Sequence, residues 1–157
     1  MSYSKILLHI VFRTKYSEPT LDLSYTPELF KYIWGVIKNK KGVLYRINCM
    51  EDHVHIVLSL PHTISLSDYI KAIKVSSSLW IKSSGLFPRF KSWGEGFCAL
   101  SYSYQDKDTL VQYVKNQQEH HKKENFRDEI IRLFKEQGEV LDERFFDDKD
   151  EFNPLRG

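Results

Sequence analysis

Two histidines stand two residues apart in the run His53-Val54-His55-Ile56-Val57-Leu58, whose β-branched residues favour an extended chain. Successive side chains of a strand point to opposite faces, so both imidazoles project from one face while Val54, Ile56, Leu58 and Leu60 point from the other. Imidazoles paired in this way can ligate a metal ion. Further along, Tyr113 and Gln117 are four residues apart, which on a helix puts them on one face, with Lys115 and Asn116 nearby. A phenol can act as a nucleophile that forms a covalent intermediate, and an amide oxygen can bind a hard cation. A tyrosine of ordinary pKa, about 10, is mostly protonated at neutral pH, so such a nucleophile needs a group that takes its proton. His120, His121 and His9 are candidates by position. Each motif alone also has a plain structural reading: a solvated strand face for the histidines, and ordinary packing for one of nine tyrosines.

The elements that must position these residues follow from periodicity and turn signals. Lys5 to Arg13 reads as a strand. Thr26-Pro27 predicts a helix start, with Thr26 as cap and Phe30, Ile33, Trp34 and Ile37 on the apolar face, ending near Gly42. Val43 to Met50 and His53 to Leu60 predict an antiparallel hairpin around Glu51-Asp52. Leu66, Ile70, Ile73, Ser77 and Trp80 repeat at helical spacing from a start near Ser65 or Ser67 to a stop at Ser83-Ser84-Gly85. Phe97 to Tyr102 predicts a fourth strand, Asp106 to about Lys123 a third helix, and Asn125 to Gln137 a fourth. The β-α-β-β-α-β order predicts an α+β, ferredoxin-like fold: a four-stranded antiparallel sheet with two helices on one face and the histidines on the open face.

With 157 residues, 41% hydrophobic and 14% aromatic, the chain can bury one domain's core. The net charge of +2 hides an acidic segment, 142–151, with six acidic and two basic side chains. The rest is modestly basic, which permits a polyanionic partner. Cys49 and Cys98 lack any CxxC spacing, so neither a disulfide framework nor a thiolate zinc site is expected. No stretch has the length and apolarity of a membrane span, and a cytoplasmic protein is the simplest expectation.

Taken together, Glu51-Asp52-His53-Val54-His55, Trp93-Gly94-Glu95-Gly96-Phe97 and Tyr113-Val114-Lys115-Asn116-Gln117 resemble the single-tyrosine HUH transposases of the smallest bacterial insertion sequences and their REP-associated relatives. Phe12-Arg13-Thr14-Lys15-Tyr16 is similar to that family's first strand end, and the resemblance spans roughly residues 5–120. It implies that His53, His55 and Gln117 are metal ligands and Tyr113 the nucleophile. The activity implied is metal-dependent cleavage and rejoining of single-stranded DNA through a 5′-phosphotyrosine bond. Ligand softness alone favours zinc or another transition metal, whereas the resemblance implies Mg2+ or Mn2+. It further implies DNA with hairpin ends as partner and a homodimer with the tyrosine helix exchanged between subunits. The catalytic domain is expected over 1–123, with 124–157 a helical extension ending in the acidic segment, whose expected roles range from dimer brace or inhibitory arm to plain surface.

Arg13, Lys15, Lys71, Lys74, Arg89, Lys91, Lys115, Lys122 and Lys123 are candidates for phosphate contact around the open sheet face. Tyr16, Trp93, Phe97 and Tyr104 are available to stack on bases. Two other readings compete: a non-catalytic nucleic-acid-binding module of the same fold, although this sequence lacks the RNP-type aromatic motif of RNA-binding domains, and a hydrolase in which the histidines activate water and Tyr113 is structural.

Overall fold

The computed structural model describes residues 1–147, so the end of the acidic segment, 148–151, lies outside the described residues. The elements run β1 (Leu7–Arg13), α1 (Thr26–Asn39), β2 (Val43–Cys49), β3 (His53–Ser59), α2 (Leu66–Ser84), β4 (Cys98–Tyr102), α3 (Lys107–Lys115), α4 (Gln117–His120) and α5 (Phe126–Glu136). The four strands form one antiparallel sheet in the order β2-β3-β1-β4, the ferredoxin-like arrangement expected from the element order. The β2-β3 pairing shifts register between Leu44 and Arg46, which places a bulge on an edge strand.

One sheet face carries Leu8, Ile10, Phe12, Ile47, Cys49, Val54, Ile56 and Leu58, packed with Leu29, Ile33 and Ile37 of α1 and Tyr69, Ile70, Ile73 and Ile81 of α2. Helix α1 turns a different stripe inward than predicted: Leu29 replaces Trp34, which is 53% exposed beside the Lys38 ammonium. Burying Trp34 would also require a partner for its indole N–H. Thr26 starts the helix, but its hydroxyl donates backwards to the Leu23 carbonyl at 3.0 Å instead of capping. Gly42 closes the following turn; a Cβ there would fall 2.2 Å from the Tyr69 hydroxyl, which donates to the Ile37 carbonyl. Helix α2 has the predicted signals, with Ser65 accepting from the Asp68 amide and Gly85 left-handed at φ 74°.

The other face is not open. Leu7 and Val57 pack with Leu110 and Val114 of α3, while Val11, Cys98 and Leu100 pack with Ile130 and Leu133 of α5. The central strands β1 and β3 are thus buried on both sides, as their nearly continuous apolar runs require. The predicted helix from Asp106 to Lys123 is broken at Asn116 (φ −93°, ψ 22°), which ends α3 and begins α4. Asn48 of β2 holds this break: its amide nitrogen donates to the carbonyls of Val114 and Lys115 at 3.0 and 3.1 Å, and its oxygen accepts from Gln118. Carbonyls at a helix C-terminus have no partner within the helix, so a buried strand side chain satisfies them and fixes α3 on the sheet.

Asn48→Ala removes the side-chain donor to these carbonyls and is expected to cost about 1–3 kcal/mol. Thermal denaturation followed by circular dichroism should show the midpoint falling by several degrees, and an unchanged midpoint would remove Asn48 from this role.

Candidate functional site

His53 and His55 lie on the face covered by α3, α4 and α5, at 1% and 0% exposure. At the centre of their surroundings is a residue the sequence reading did not single out, Glu129 of α5, also fully buried. Its Oε1 lies 3.1 Å from His55 Nε2, 3.0 Å from His121 Nε2 and 3.7 Å from His53 Nε2. Its Oε2 accepts from the Tyr113 hydroxyl and, at 2.7 Å, from the Gln117 amide nitrogen. Tyr113 and Gln117 therefore converge although the helix between them bends. An ionised carboxylate is costly to bury unless paired and hydrogen-bonded; here burial acts to raise its pKa, but the imidazoles of His121, His53 and His55 beside it outweigh this and hold it well below the carboxylate range.

Two partners orient the paired histidines from behind. Asp52 Oδ1 sits 2.6 Å from His53 Nδ1, and His9 Nε2 sits 2.8 Å from His55 Nδ1. Each leaves Nε2 facing the site, the second-sphere arrangement that fixes a ligand's tautomer. Burial pushes the His55 pKa down to about 4 against the pull of Glu129. For His53 burial acts in the same direction, but Asp52 and Glu129 outweigh it and raise its pKa. Burial, with His55 beside it, holds His9 well below its usual range.

The atoms of His53, His55, His121 and Glu129 available to a metal lie within 4.8 Å of one another. Gln117 Oε1 is buried beside them with no hydrogen-bond partner, a lone pair that an ion would satisfy. Three imidazole nitrogens, a carboxylate and an amide oxygen suit a divalent ion of intermediate softness. Of the residues anticipated from sequence, His53, His55 and Gln117 thus lie together; His121, one of three candidates by position for taking the tyrosine proton, lies in this group.

Tyr113 is half-buried. Its ring stacks on His120 at 4.4 Å and 24°, and its hydroxyl accepts from Arg132 Nη2 at 2.7 Å. Burial and then the Glu129 carboxylate raise its pKa above the ordinary phenol value, with Arg132 opposing.

The basic residues are dispersed. Lys71 and Lys74 belong to α2, on the opposite side of the sheet from the histidines, and Lys74 donates to the carbonyls of Gly94 and Gly96 at 2.9 and 2.6 Å. Arg89 donates to the Pro19 carbonyl and Arg13 to Ser17. Lys15 is half-buried beside Tyr16, whereas Lys91, Lys115, Lys122 and Lys123 are exposed. Trp93 is core, donating to Ser77 Oγ at 2.9 Å and packing edge-on to Phe12, and of the four stacking candidates only Tyr104 is exposed. Glu129 and Arg132 lie on the predicted fourth helix, and their only sequence signal is that two charges flank its apolar stripe.

Comparison with known proteins gives three findings. The family described as "Transposase IS200 like" matches residues 2–117. A Deinococcus radiodurans R1 protein assigned as a transposase has a similar structure, with 23% identity, a TM-score of 0.59, and coverage of 74% of this chain and 93% of that one. A REP-associated tyrosine transposase, solved bound to a REP hairpin, is similar at 16% identity and a TM-score of 0.55, covering 77% of this chain and 72% of that one. Among curated proteins nothing matches.

Titration with Mn2+ by calorimetry should show one ion per chain, with a rise in thermal midpoint that a chelator reverses. His55→Ala is expected to abolish both signals, and Asp52→Asn to weaken affinity about 10- to 100-fold through the lost orientation of His53. Binding unchanged in His55→Ala would move the ion elsewhere.

Proposed function

Since the chain belongs to the family of IS200-like transposases, we propose that it cleaves and rejoins single-stranded DNA with Tyr113 as nucleophile. The observation that carries this is the convergence of the Tyr113 hydroxyl, the Gln117 amide and three histidines on the single carboxylate of Glu129. His53, His55 and Gln117, with His121 and Glu129 beside them, would hold the metal. A divalent ion there supplies Lewis acidity to the scissile phosphate. Mg2+ and Mn2+ are the proposed ions, and the imidazole-rich set favours manganese, since magnesium prefers oxygen ligands.

In this reading the Tyr113 oxygen attacks phosphorus, an O–P bond forms to the 5′ side, and the 3′ oxygen leaves and is protonated. Glu129 Oε2 already accepts the phenolic hydrogen and receives the proton. Transfer to so weak a base is uphill in the resting site, but the phenolic proton becomes more acidic as the O–P bond forms. The covalent bond conserves the phosphodiester, so a DNA 3′-hydroxyl can reverse the step without ATP. The structural neighbour bound to a REP hairpin supports hairpin-forming DNA as the substrate class, with the exposed lysines providing non-specific phosphate affinity. The described residues contain no helix long and apolar enough to cross a membrane, and the proposed site of action is the cytoplasm.

Tyr113→Phe is expected to bind hairpin DNA but form no denaturation-resistant adduct, as judged by gel electrophoresis with Mg2+ or Mn2+. His53→Ala, His55→Ala and Gln117→Ala should each slow adduct formation at least about a hundredfold, the scale of losing a main electrostatic element, and excess chelator should do the same to the wild type. An adduct from the Phe variant would sink the assignment; cleaved DNA without any adduct would favour the hydrolase.

Within one chain the Tyr113 hydroxyl already meets Glu129, the carboxylate that His55 and His121 share, so the exchanged dimer is proposed as a second working state, reached by releasing α3 across the Ser103–Lys107 connector. Mixing His55→Ala with Tyr113→Phe should then restore adduct formation. No recovery, with heterodimers demonstrated by mass spectrometry, would confine the site to single chains.

A further inference from the structure

Arg132 is the one cation whose hydrogen bond reaches the Tyr113 oxygen among the described residues, and the roles assigned above do not use it. It lies on α5, beyond residues 2–117, which match the family. Its Nη2 donates to Tyr113 Oη at 2.7 Å and to Glu124 Oε1 at 2.7 Å; Nε shares the Glu124 carboxylate at 3.1 and 3.2 Å, and Nη1 donates to Glu136 at 3.0 Å. A guanidinium offers five N–H donors in a fixed plane. These contacts engage four of them, so the two glutamates hold the plane and one Nη1–H is left over. The side chain is 37% exposed and lines a cleft of about 760 Å³ together with Tyr113, Asn116, His120, Lys123, Glu124 and Glu119, whose carboxylate is paired with the Lys122 ammonium at 3.0 Å. His120, which stacks on the Tyr113 ring at 4.4 Å, also lines this cleft.

We propose that this cleft receives the scissile phosphodiester and that Arg132 is a catalytic residue, holding a non-bridging oxygen of that phosphate beside the attacking Tyr113 oxygen. The inference rests on the reading of Tyr113 as nucleophile. In the resting protein the Tyr113 oxygen stands in as Arg132's acceptor. As the Oη–P bond forms and the bond from phosphorus to the 3′ oxygen breaks, the phenolic proton passes to Glu129 and the leaving 3′ oxygen takes a proton from solvent. The charge of the attacking phenol is thereby drawn onto the phosphoryl oxygens, within reach of the guanidinium. The bonds to Glu124 and Glu136 reduce the long-range attraction of Arg132 for DNA, so its contribution falls on the transition state more than on binding. Planar, directional donation is also where arginine and lysine differ.

The test uses the full chain with the single-stranded oligonucleotide that yields the wild-type adduct, the cleavage position having been mapped from that adduct. Arg132→Ala should lower the single-turnover rate of adduct formation about a hundredfold. The Kd for DNA, measured by fluorescence anisotropy in a Tyr113→Phe background, should change less than about threefold. Arg132→Lys should lose about tenfold, keeping the charge without the fork. A role limited to placing the Tyr113 ring gives the same rate losses, so a second substrate separates the two: a methylphosphonate at the cleaved position removes one non-bridging oxygen and its charge. It should slow the wild type about tenfold more than it slows Arg132→Ala, which has already lost the contact. Equal slowing of both proteins, or an Arg132→Ala rate within about threefold of wild type, overturns the proposal and leaves the Tyr113 assignment standing. A wild type that forms no adduct on any hairpin overturns the tyrosine reading and this one with it.

Discussion

A negative charge taken out of water has to be matched by donors, and in this protein that requirement gathers the site around Glu129. Its two oxygens face His55 and His121 on one side and Tyr113 and Gln117 on the other. These partners come from β3, from α3 and α4, and from the turn after α4. One carboxylate on α5 therefore draws together segments distant in the chain. Removing one member of such a buried set costs more than the set contributes over an apolar replacement, so the arrangement specifies geometry more than it adds stability.

The sheet divides two tasks between its faces. On the α1/α2 face, aliphatic side chains and the Phe12–Trp93 edge contact form the larger core. On the other face, two smaller apolar clusters flank the histidines, one under α3 and one under α5. They seat the helices carrying Tyr113 and Glu129 without occupying the polar centre. Asn48 completes the seating by satisfying the C-terminal carbonyls of α3 from a neighbouring strand. The position of the tyrosine is thus set by Leu110 and Val114 packing on the sheet and by Asn48 at the C-terminal end of its helix, and the Arg132 and Glu129 bonds then engage its hydroxyl.

Several sequence expectations were overridden by tertiary contacts, each for a definite reason. The pattern from Asp106 to Lys123 suits a continuous helix, but Asn116 breaks it so that Gln117 turns fully inward and Gln118 reaches Asn48 and the Cys49 carbonyl. Trp34 fits the helical stripe of α1 yet faces solvent, and Trp80 stacks on Tyr32 at 5.3 Å. Lys74 reads as a phosphate contact, but its ammonium is taken by two carbonyls of the glycine-containing loop. Leu7, Val11 and Val57 were the available sign that the histidine face would be covered, because a solvated face would not alternate apolar residues with the imidazoles.

The sequence by itself determined the strand and helix order, the antiparallel hairpin that carries His53 and His55, and the pairing of Tyr113 with Gln117. These depend on local quantities: side-chain alternation along a strand, helical spacing, Ser65 and Gly85 as boundaries, and turn residues between elements. Only the tertiary structure decided that α5 returns across the sheet, that Glu129 enters the histidine cluster, that His121 joins it while His120 stacks on Tyr113, and that Arg132 meets the Tyr113 oxygen. A charged residue on an amphipathic helix reads the same from sequence whether it faces water or a buried site. The difference is made by the donors on other segments that surround it, and those become neighbours only when the chain folds.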